Sequence, residues 1–307
     1  MTALRAMSRI AVAGPGGVGG FVAGALCRAG HQVIVVARES TAELIDRTGL
    51  RVHSVALDTD FTAHPRAVEE LSEPVDVLLV ATKAGGLAGA LERIRVDPDL
   101  VVPLLNGVEH MALLRRRFGE HTVAAGVIRI ESDRPEPGEV SQRSPGARID
   151  LAGPPERVQS LAAALREAGL EIRTGASESQ VLWTKLARLN ALALTTSASN
   201  RPIGFIRTDP RWRSALEGAV AETVAVARAE GADLDPDETL AELESAHAEL
   251  GSSMQRDIAA GQEPELDPIA GAVLRAGARH GIRCPTVSWL ARRVAKRAGI
   301  AAPGPGT

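Results

Sequence analysis

Residues 13–20 read Ala-Gly-Pro-Gly-Gly-Val-Gly-Gly, between the apolar run Ile10-Ala11-Val12 and a segment rich in small residues that ends at Ala29-Gly30. A second apolar run, His31 to Ala37, follows. Gly14, Gly16 and Gly19 satisfy G-x-G-x-x-G, and strand, glycine turn, helix, strand is the context in which that motif binds a dinucleotide. The roles follow by position. Gly14 permits the tight turn, Gly16 lets the backbone approach a pyrophosphate, and Gly19 lets helix and strand pack closely. With Pro15, Gly17 and Val18 between them, the whole loop 14–19 is the expected cofactor-binding segment, the phosphates lying at the helix N-terminus. At the end of the second strand stands Arg38, where a carboxylate would suit a free ribose 2′-hydroxyl and an arginine suits a 2′-phosphate. Arg38 therefore argues for NADP(H), while Glu39, one residue on, keeps a contact to the ribose open.

A chain of 307 residues is long enough for two domains, and 45% hydrophobic with 24% charged residues is the composition of a soluble globular protein. The formal net charge of −3 gives no electrostatic case for nucleic acid, and Arg115-Arg116-Arg117 is too short a run to make one. Neither a leader peptide nor an apolar stretch approaching ~20 residues is evident, so membrane spanning and secretion lack support and the cytoplasm is the expected compartment. Cys27 and Cys284 are too few for a disulfide framework or a zinc site, and the seven histidines show no metal-ligand spacing. No metal is expected.

To about residue 150 apolar strands alternate with helices. A helix is expected from Thr41 to Asp46, short strands near Leu50–Val55, strands at Val75–Val80 and Leu100–Leu105, and a helix beginning near Gly86 between them. Runs such as Val-Asp-Val-Leu-Leu-Val suit a parallel sheet covered by helices on both faces. The Pro-, Gly- and Ser-rich stretch Glu131–Arg148 reads as hairpins or loops at the far edge of that sheet, followed by a helix at Glu156–Ala168 and a strand at Leu170–Thr174. Beyond Ser177 only helices are expected, at Val181–Ala198, Arg211–Gly231, Pro236–Leu250 and Pro268–Gly281. The fold class is thus α/β: a Rossmann-type doubly wound domain over residues 1–176, an all-helical domain over 177–300, and a disordered tail over 301–307.

A nicotinamide enzyme needs a proton donor beside the carbonyl that receives hydride. The chain has no tyrosine, which excludes a Tyr-x-x-x-Lys dehydrogenase, and a histidine acid such as His247 or His280 has no evident orienting carboxylate. Lysine occurs at Lys83, Lys185 and Lys296. Lys83 follows an apolar strand at the edge where open α/β sheets bind ligands, and Asn106-Gly107 ends another. Lys185 sits in Val-Leu-Trp-Thr-Lys-Leu, a cation on an apolar helix, where burial is costly unless it faces a cleft or a partner charge.

Several of these features in this order resemble the ketopantoate reductases. The resemblance is carried by the glycine loop, the arginine ending the second strand, Ala81-Thr82-Lys83-Ala84, Asn106-Gly107-Val108-Glu109, Leu182-Trp183-Thr184-Lys185-Leu186, Arg201-Pro202-Ile203-Gly204, and Ser252-Ser253-Met254-Gln255-Arg256-Asp257 with Glu265-Leu266-Asp267. It implies NADPH-dependent reduction of a small 2-oxo acid to the 2-hydroxy acid in a cleft between the two domains. It further implies that Lys185 protonates the developing alkoxide and that Glu265 binds a substrate hydroxyl and assists the lysine. Asn106 would contact cofactor and substrate, Ser253 the substrate carboxylate, and Lys83 the vicinity of the cofactor. The implied partners are the substrate and, as a homodimer, a second copy of the chain.

One departure bears on the substrate. The family's helix often carries asparagines four and eight residues after the lysine; here Leu189 and Ala193 stand there. Asn190 is about 140° from Lys185 around an ideal helix and joins the candidate substrate contacts only through a local helix irregularity. A more apolar 2-oxo acid than 2-dehydropantoate is therefore the expected substrate. The rival readings are a reductase of the same fold acting on another carbonyl or an imine, and a non-catalytic NADP-binding sensor.

Overall fold

The computed structural model describes residues 9–304 and 306. The first part of the chain runs β1 (Arg9–Ala13), α1 (Gly17–Arg28), β2 (Gln32–Val36), α2 (Glu39–Thr48), β3 (Leu50–Ser54), β4 (Thr59–Ala63), β5 (Arg66–Val68), β6 (Val77–Val80), α3 (Leu87–Leu91), β7 (Leu100–Pro103), α4 (His110–Phe118), β8 (Ala125–Arg129), β9 (Ser132–Asp133), β10 (Glu139–Gln142), β11 (Arg148–Ala152), α5 (Pro155–Glu167) and β12 (Glu171–Thr174). Five strands form a parallel sheet in the order β5-β2-β1-β6-β7. Its central strands are apolar because both faces are covered: Ile10, Val12, Val35, Leu78 and Leu79 have no exposed surface.

The stretch expected to form hairpins or loops at the edge of this sheet does form a hairpin, β9–β10, but in a different sheet. It supplies β9 and β10 to a second sheet, β4-β3-β10-β9, and leads into β11 of a third, β12-β11-β8. The second sheet packs on α1, and the glycines of that helix explain how. A Cβ at Gly20 would stand 2.6 Å from Val140 Cγ2, and one at Gly24 2.7 Å from Val52 Cγ2. Positions 17, 20 and 24 share one helical face, and Gly17 lies under the backbone of Ser132, whose hydroxyl donates to the Gly17 carbonyl at 2.8 Å. A face without side chains lets the strands come down onto the helix. Gln142, buried among them, accepts from the Ser54 hydroxyl and Ala56 N–H and donates to Ser144, so its amide is satisfied at both ends.

The later part is helical: α6 (Glu178–Ser199), α7 (Ile203–Thr208), α8 (Pro210–Ala229), α9 (Pro236–Glu244), α10 (Ser253–Ala259), a π-helical turn at Asp267–Gly271, α11 (Ala272–Arg279) and α12 (Pro285–Ala298). Three helices start at a proline that needs no N–H partner there. Asp209 and Asp235 cap α8 and α9 through their side chains, whereas α12 is capped from afar: the Glu222 carboxylate accepts from Thr286 N at 2.8 Å and Val287 N at 2.9 Å. The core of this part is a cluster that includes Trp183, Leu186, Leu216, Leu243, Val273 and Leu290. Residues 301–304 and 306 carry neither helix nor strand; the remainder of the tail expected to be disordered, 305 and 307, lies outside the described residues.

The chain divides into two compact units. One runs to Leu105 and resumes at His110–Val181; the other comprises Asn106–Glu109 and the chain from Leu182 onward. The division falls inside α6, whose first residue, Glu178, pairs with Arg115 of α4. Among the described residues no helix is long and apolar enough to cross a membrane.

Candidate functional site

In the first unit the glycine loop has the shape the motif demands. Gly14 sits at φ +92°, in the left-handed region that favours glycine, and a Cβ there would meet Thr82 Cγ2 at 2.7 Å. Gly19 is pressed so closely on the turn that a Cβ would stand 2.1 Å from the Gly14 carbonyl oxygen. Gly16 differs: it caps α1, and a Cβ there would meet nothing within 4 Å. The first turn of α1 carries no acidic residue and no side-chain cap, so its N-terminal partial charge is left for an anion. Pro15 and Val18 lie between these glycines, at the turn and in the first turn of the helix. Arg38 is exposed at the end of β2, as the residue preceding α2, with exposed Glu39 beside it. Lys83 is exposed beyond β6, directly after Thr82. These residues fit a dinucleotide.

α6, which passes from the first unit into the second, opens on Ser177, whose hydroxyl accepts from Gln180 N at 3.1 Å, a normal N-terminal cap. Lys185 is partly buried two turns in, among the fully packed Val181, Leu182, Leu186 and Ala187. Leu189, one turn further on, is half-buried against the core, and Ala193, two turns on, is wholly buried. The Lys185 face is thus apolar where a second polar group would otherwise stand.

Asn106 and Glu265, 159 residues apart in sequence, meet: Asn106 Nδ2 donates to Glu265 Oε2 at 2.9 Å. Both are partly buried. The contact is reinforced next door, where Gly107, at φ +85°, approaches Pro268 so closely that a Cβ would lie 2.2 Å from the Pro268 carbonyl oxygen. Glu265 itself leads into the π-helical turn that begins at Asp267, a distortion that recurs at functional sites.

The two remaining expected contacts, Asn190 and Ser253, lie in different surroundings. Asn190 is completely buried in the helical core, where its Nδ2 donates to Thr223 Oγ1 at 2.9 Å. α6 is continuous from Glu178 to Ser199, without the local irregularity that would bring Asn190 toward Lys185. Ser253 is exposed on the first turn of α10. The cap of that helix is Ser252, which accepts from Gln255 N at 3.1 Å and pairs with Thr196 Oγ1 at 2.9 Å, leaving Ser253 without a capping duty. Sequence reasoning overlooked Glu109, Asp267 and Arg275, whose ion pairs fasten the loop at 106–109 to the π-turn. Glu109 and Asp267 stand inside motifs already singled out, but nothing local marks Arg275 as their shared partner. No group of three or more metal-ligating side chains is found among the described residues.

The chain is similar to known proteins over most of its length. A family model described as Ketopantoate reductase PanE/ApbA matches residues 10–152, and one described as Ketopantoate reductase PanE/ApbA C terminal matches residues 179–298. The 2-dehydropantoate 2-reductase of Caulobacter vibrioides is 32% identical over 290 residues, covering 91% of this chain and 95% of that protein. The crystal structure of 2-dehydropantoate 2-reductase from Geobacter metallireducens is 28% identical with a TM-score of 0.86, covering 94% of this chain and 99% of that one. A D-mandelate dehydrogenase solved with NADH and anilino(oxo)acetate shares the fold, with a TM-score of 0.86 at 22% identity over 95% of this chain and 98% of that one.

Proposed function

The chain belongs to the ketopantoate reductase family, and on that premise we propose that it is an NADPH-dependent reductase of small 2-oxo acids, with a preference for side chains more apolar than that of 2-dehydropantoate. An oxidoreductase of this type is what the family and its curated members support. The observation that carries the reading is the Asn106–Glu265 hydrogen bond, which brings two of the family-matched residues together in the unit that also holds Lys185.

The division of labour follows from the side chains. A bound nicotinamide dinucleotide supplies the hydride. The open backbone of Gly16 and the start of α1, which has no side-chain cap, would hold its pyrophosphate, and Arg38 would be the charge-assisted partner of a 2′-phosphate. Lys185 Nζ gives its proton to the carbonyl oxygen as negative charge develops there, then regains one from solvent. Glu265 accepts a hydrogen bond from Asn106 through one carboxylate oxygen, and the pair orients the substrate beside the lysine. Exposed Ser253 is available to the substrate carboxylate. Leu189 offers no hydrogen bond to a hydroxylated side chain and good packing to an alkyl or aryl one.

The test is NADPH oxidation measured across a panel of 2-oxo acids that includes 2-dehydropantoate, alongside cyclic imines. The expected result is turnover of the oxo acids, with higher kcat/KM for the apolar members. A preference for 2-dehydropantoate by about tenfold or more refutes the substrate assignment, because a lost hydrogen-bonding site should penalise the hydroxylated substrate strongly. Turnover of imines alone moves the enzyme to a different reaction, and cofactor binding with no turnover at all leaves a sensor.

A further inference from the structure

The bond between Asn106 and Glu265 is made by two short segments far apart in sequence, and a single side chain holds both. Arg275 Nε and Nη2 donate to the two oxygens of Glu109 at 2.8 and 2.7 Å. Its Nη1 and Nη2 donate to the two oxygens of Asp267 at 2.8 and 3.1 Å. Glu109 lies three residues after Asn106, and Asp267 two residues after Glu265. One planar guanidinium thus grips the loop on one edge and the π-turn on the other.

We propose that Arg275 is a positioning residue of the reaction, setting the Asn106 carboxamide against the Glu265 carboxylate by clamping Glu109 and Asp267 together. The inference rests on the reductase reading of the site. Three features separate this clamp from an ordinary surface ion pair, which contributes ~0–1 kcal/mol. Both carboxylates are engaged two-pronged, the geometry a guanidinium is shaped for. The arginine side chain is 23% exposed, less than either partner. The path is also built for it: Gly271 lies beneath the pair, and a Cβ there would stand 2.3 Å from Asp267 Oδ1 and 2.9 Å from Arg275 Nη1. Without the cation, Glu109 and Asp267 become two neighbouring like charges, which drives the loop from the turn.

The experiment compares Arg275→Ala and Arg275→Lys with the wild type. Lysine keeps the charge and the fold but, as a point donor, cannot fork two carboxylates at once. Both variants should lower kcat for a 2-oxo acid by at least about tenfold with KM for NADPH within about twofold, the signature of a misplaced site group rather than a general loss of fold. Millimolar methylguanidinium should restore part of the Arg275→Ala rate, and methylammonium should not. A second readout is independent of catalysis. In the 15N-labelled protein the Asn106 side-chain amide, assigned by its disappearance in Asn106→Asp, should exchange with water faster in both variants. A folded Arg275→Lys protein with wild-type kcat and unchanged Asn106 exchange overturns the proposal. Should the wild type reduce no 2-oxo acid, the reductase reading fails, and the exchange measurement alone decides the clamp.

Discussion

Two glycines of one loop, three residues apart, should respond in opposite ways to the same methyl group. At Gly16 the backbone is extended, φ −78° and ψ −164°, which alanine adopts without strain, and the space around a Cβ is empty. Alanine is a poorer helix cap than glycine but leaves the unfolded chain fewer conformations to lose; the two effects oppose one another and should leave stability within about 0.5 kcal/mol. The empty space is where a pyrophosphate would approach. A methyl group there holds the phosphate off the helix N–H groups, and each charge-assisted hydrogen bond lost costs ~1.5–3 kcal/mol, or roughly 10- to 150-fold in affinity. At Gly19 a Cβ would lie 2.1 Å from the Gly14 oxygen and 2.9 Å from Ala81 Cβ, so backbone must move. Overpacking of that kind costs about 1–3 kcal/mol. For a unit of this size, that lowers Tm by roughly 2–12 °C. Thermal melts of Gly16→Ala and Gly19→Ala without cofactor, and titration calorimetry of each with NADPH, separate the two effects. Wild-type NADPH affinity in Gly16→Ala would refute the assignment of that open space to the cofactor, and a wild-type melt of Gly19→Ala would refute the packing argument.

Other outcomes follow from the same structure. Lys185→Ala should lower kcat by roughly 100-fold or more while NADPH affinity is retained, measured by steady-state turnover and calorimetry; wild-type kcat removes Lys185 from the chemistry. Arg38→Glu should shrink the preference for NADPH over NADH by more than about tenfold, read from the two dissociation constants. Asn190→Leu replaces a buried amide whose Oδ1 has no hydrogen-bond partner by an apolar group of similar size, so the melt should stay level or rise, and catalysis should persist; a large loss of kcat would restore Asn190 to the site. Burial raises the Glu230 carboxyl, but hydrogen bonds from His280 and Arg279 more than offset it and hold it below the usual range. That contribution is therefore present above the unfolded carboxylate value and lost as pH falls through the lower folded one, so Glu230→Gln should flatten the acid limb of stability against pH.

The parallel sheet and the glycine loop were legible in the sequence because their signals are local: a glycine motif placed between apolar runs buried on both faces. The second sheet was legible only in part: short strands near Leu50 and a hairpin within Glu131–Arg148 were expected, but not their pairing in a sheet of their own. Its strands β9 and β10 are two and four residues long, and Glu139 and Ser141 face outward, so neither hydrophobicity nor length announces them. The readable sign lay elsewhere, in the spacing of Gly17, Gly20 and Gly24, a helix face whose missing side chains demand a close neighbour. Helix α12 was overlooked for a related reason, since its cap is Glu222, some sixty residues earlier, and no capping residue stands beside Pro285. Within the candidate site, the 140° separation between Lys185 and Asn190 could be read from helical periodicity, and the burial of Asn190 against Thr223 gives that angle its physical counterpart. The meeting of Asn106 with Glu265 could be suspected only from family resemblance, because the 159 intervening residues leave no periodic trace.

The loop at Asn106–Glu109 has a consequence for anyone who would cut this chain into parts. A gene fragment beginning at Leu182 encodes every helix of the second unit after the opening of α6, yet it omits four residues that belong to that unit. In such a fragment Arg275 would keep Asp267 but lose Glu109, Glu265 would lose the Asn106 amide, and Pro268 would lose the glycine pressed against its carbonyl. Joining the missing tetrapeptide ahead of Leu182 by a flexible linker would restore all of these partners to the helical half. The boundary that matters for dissection is therefore a set of partners, and no single cut in the sequence respects it.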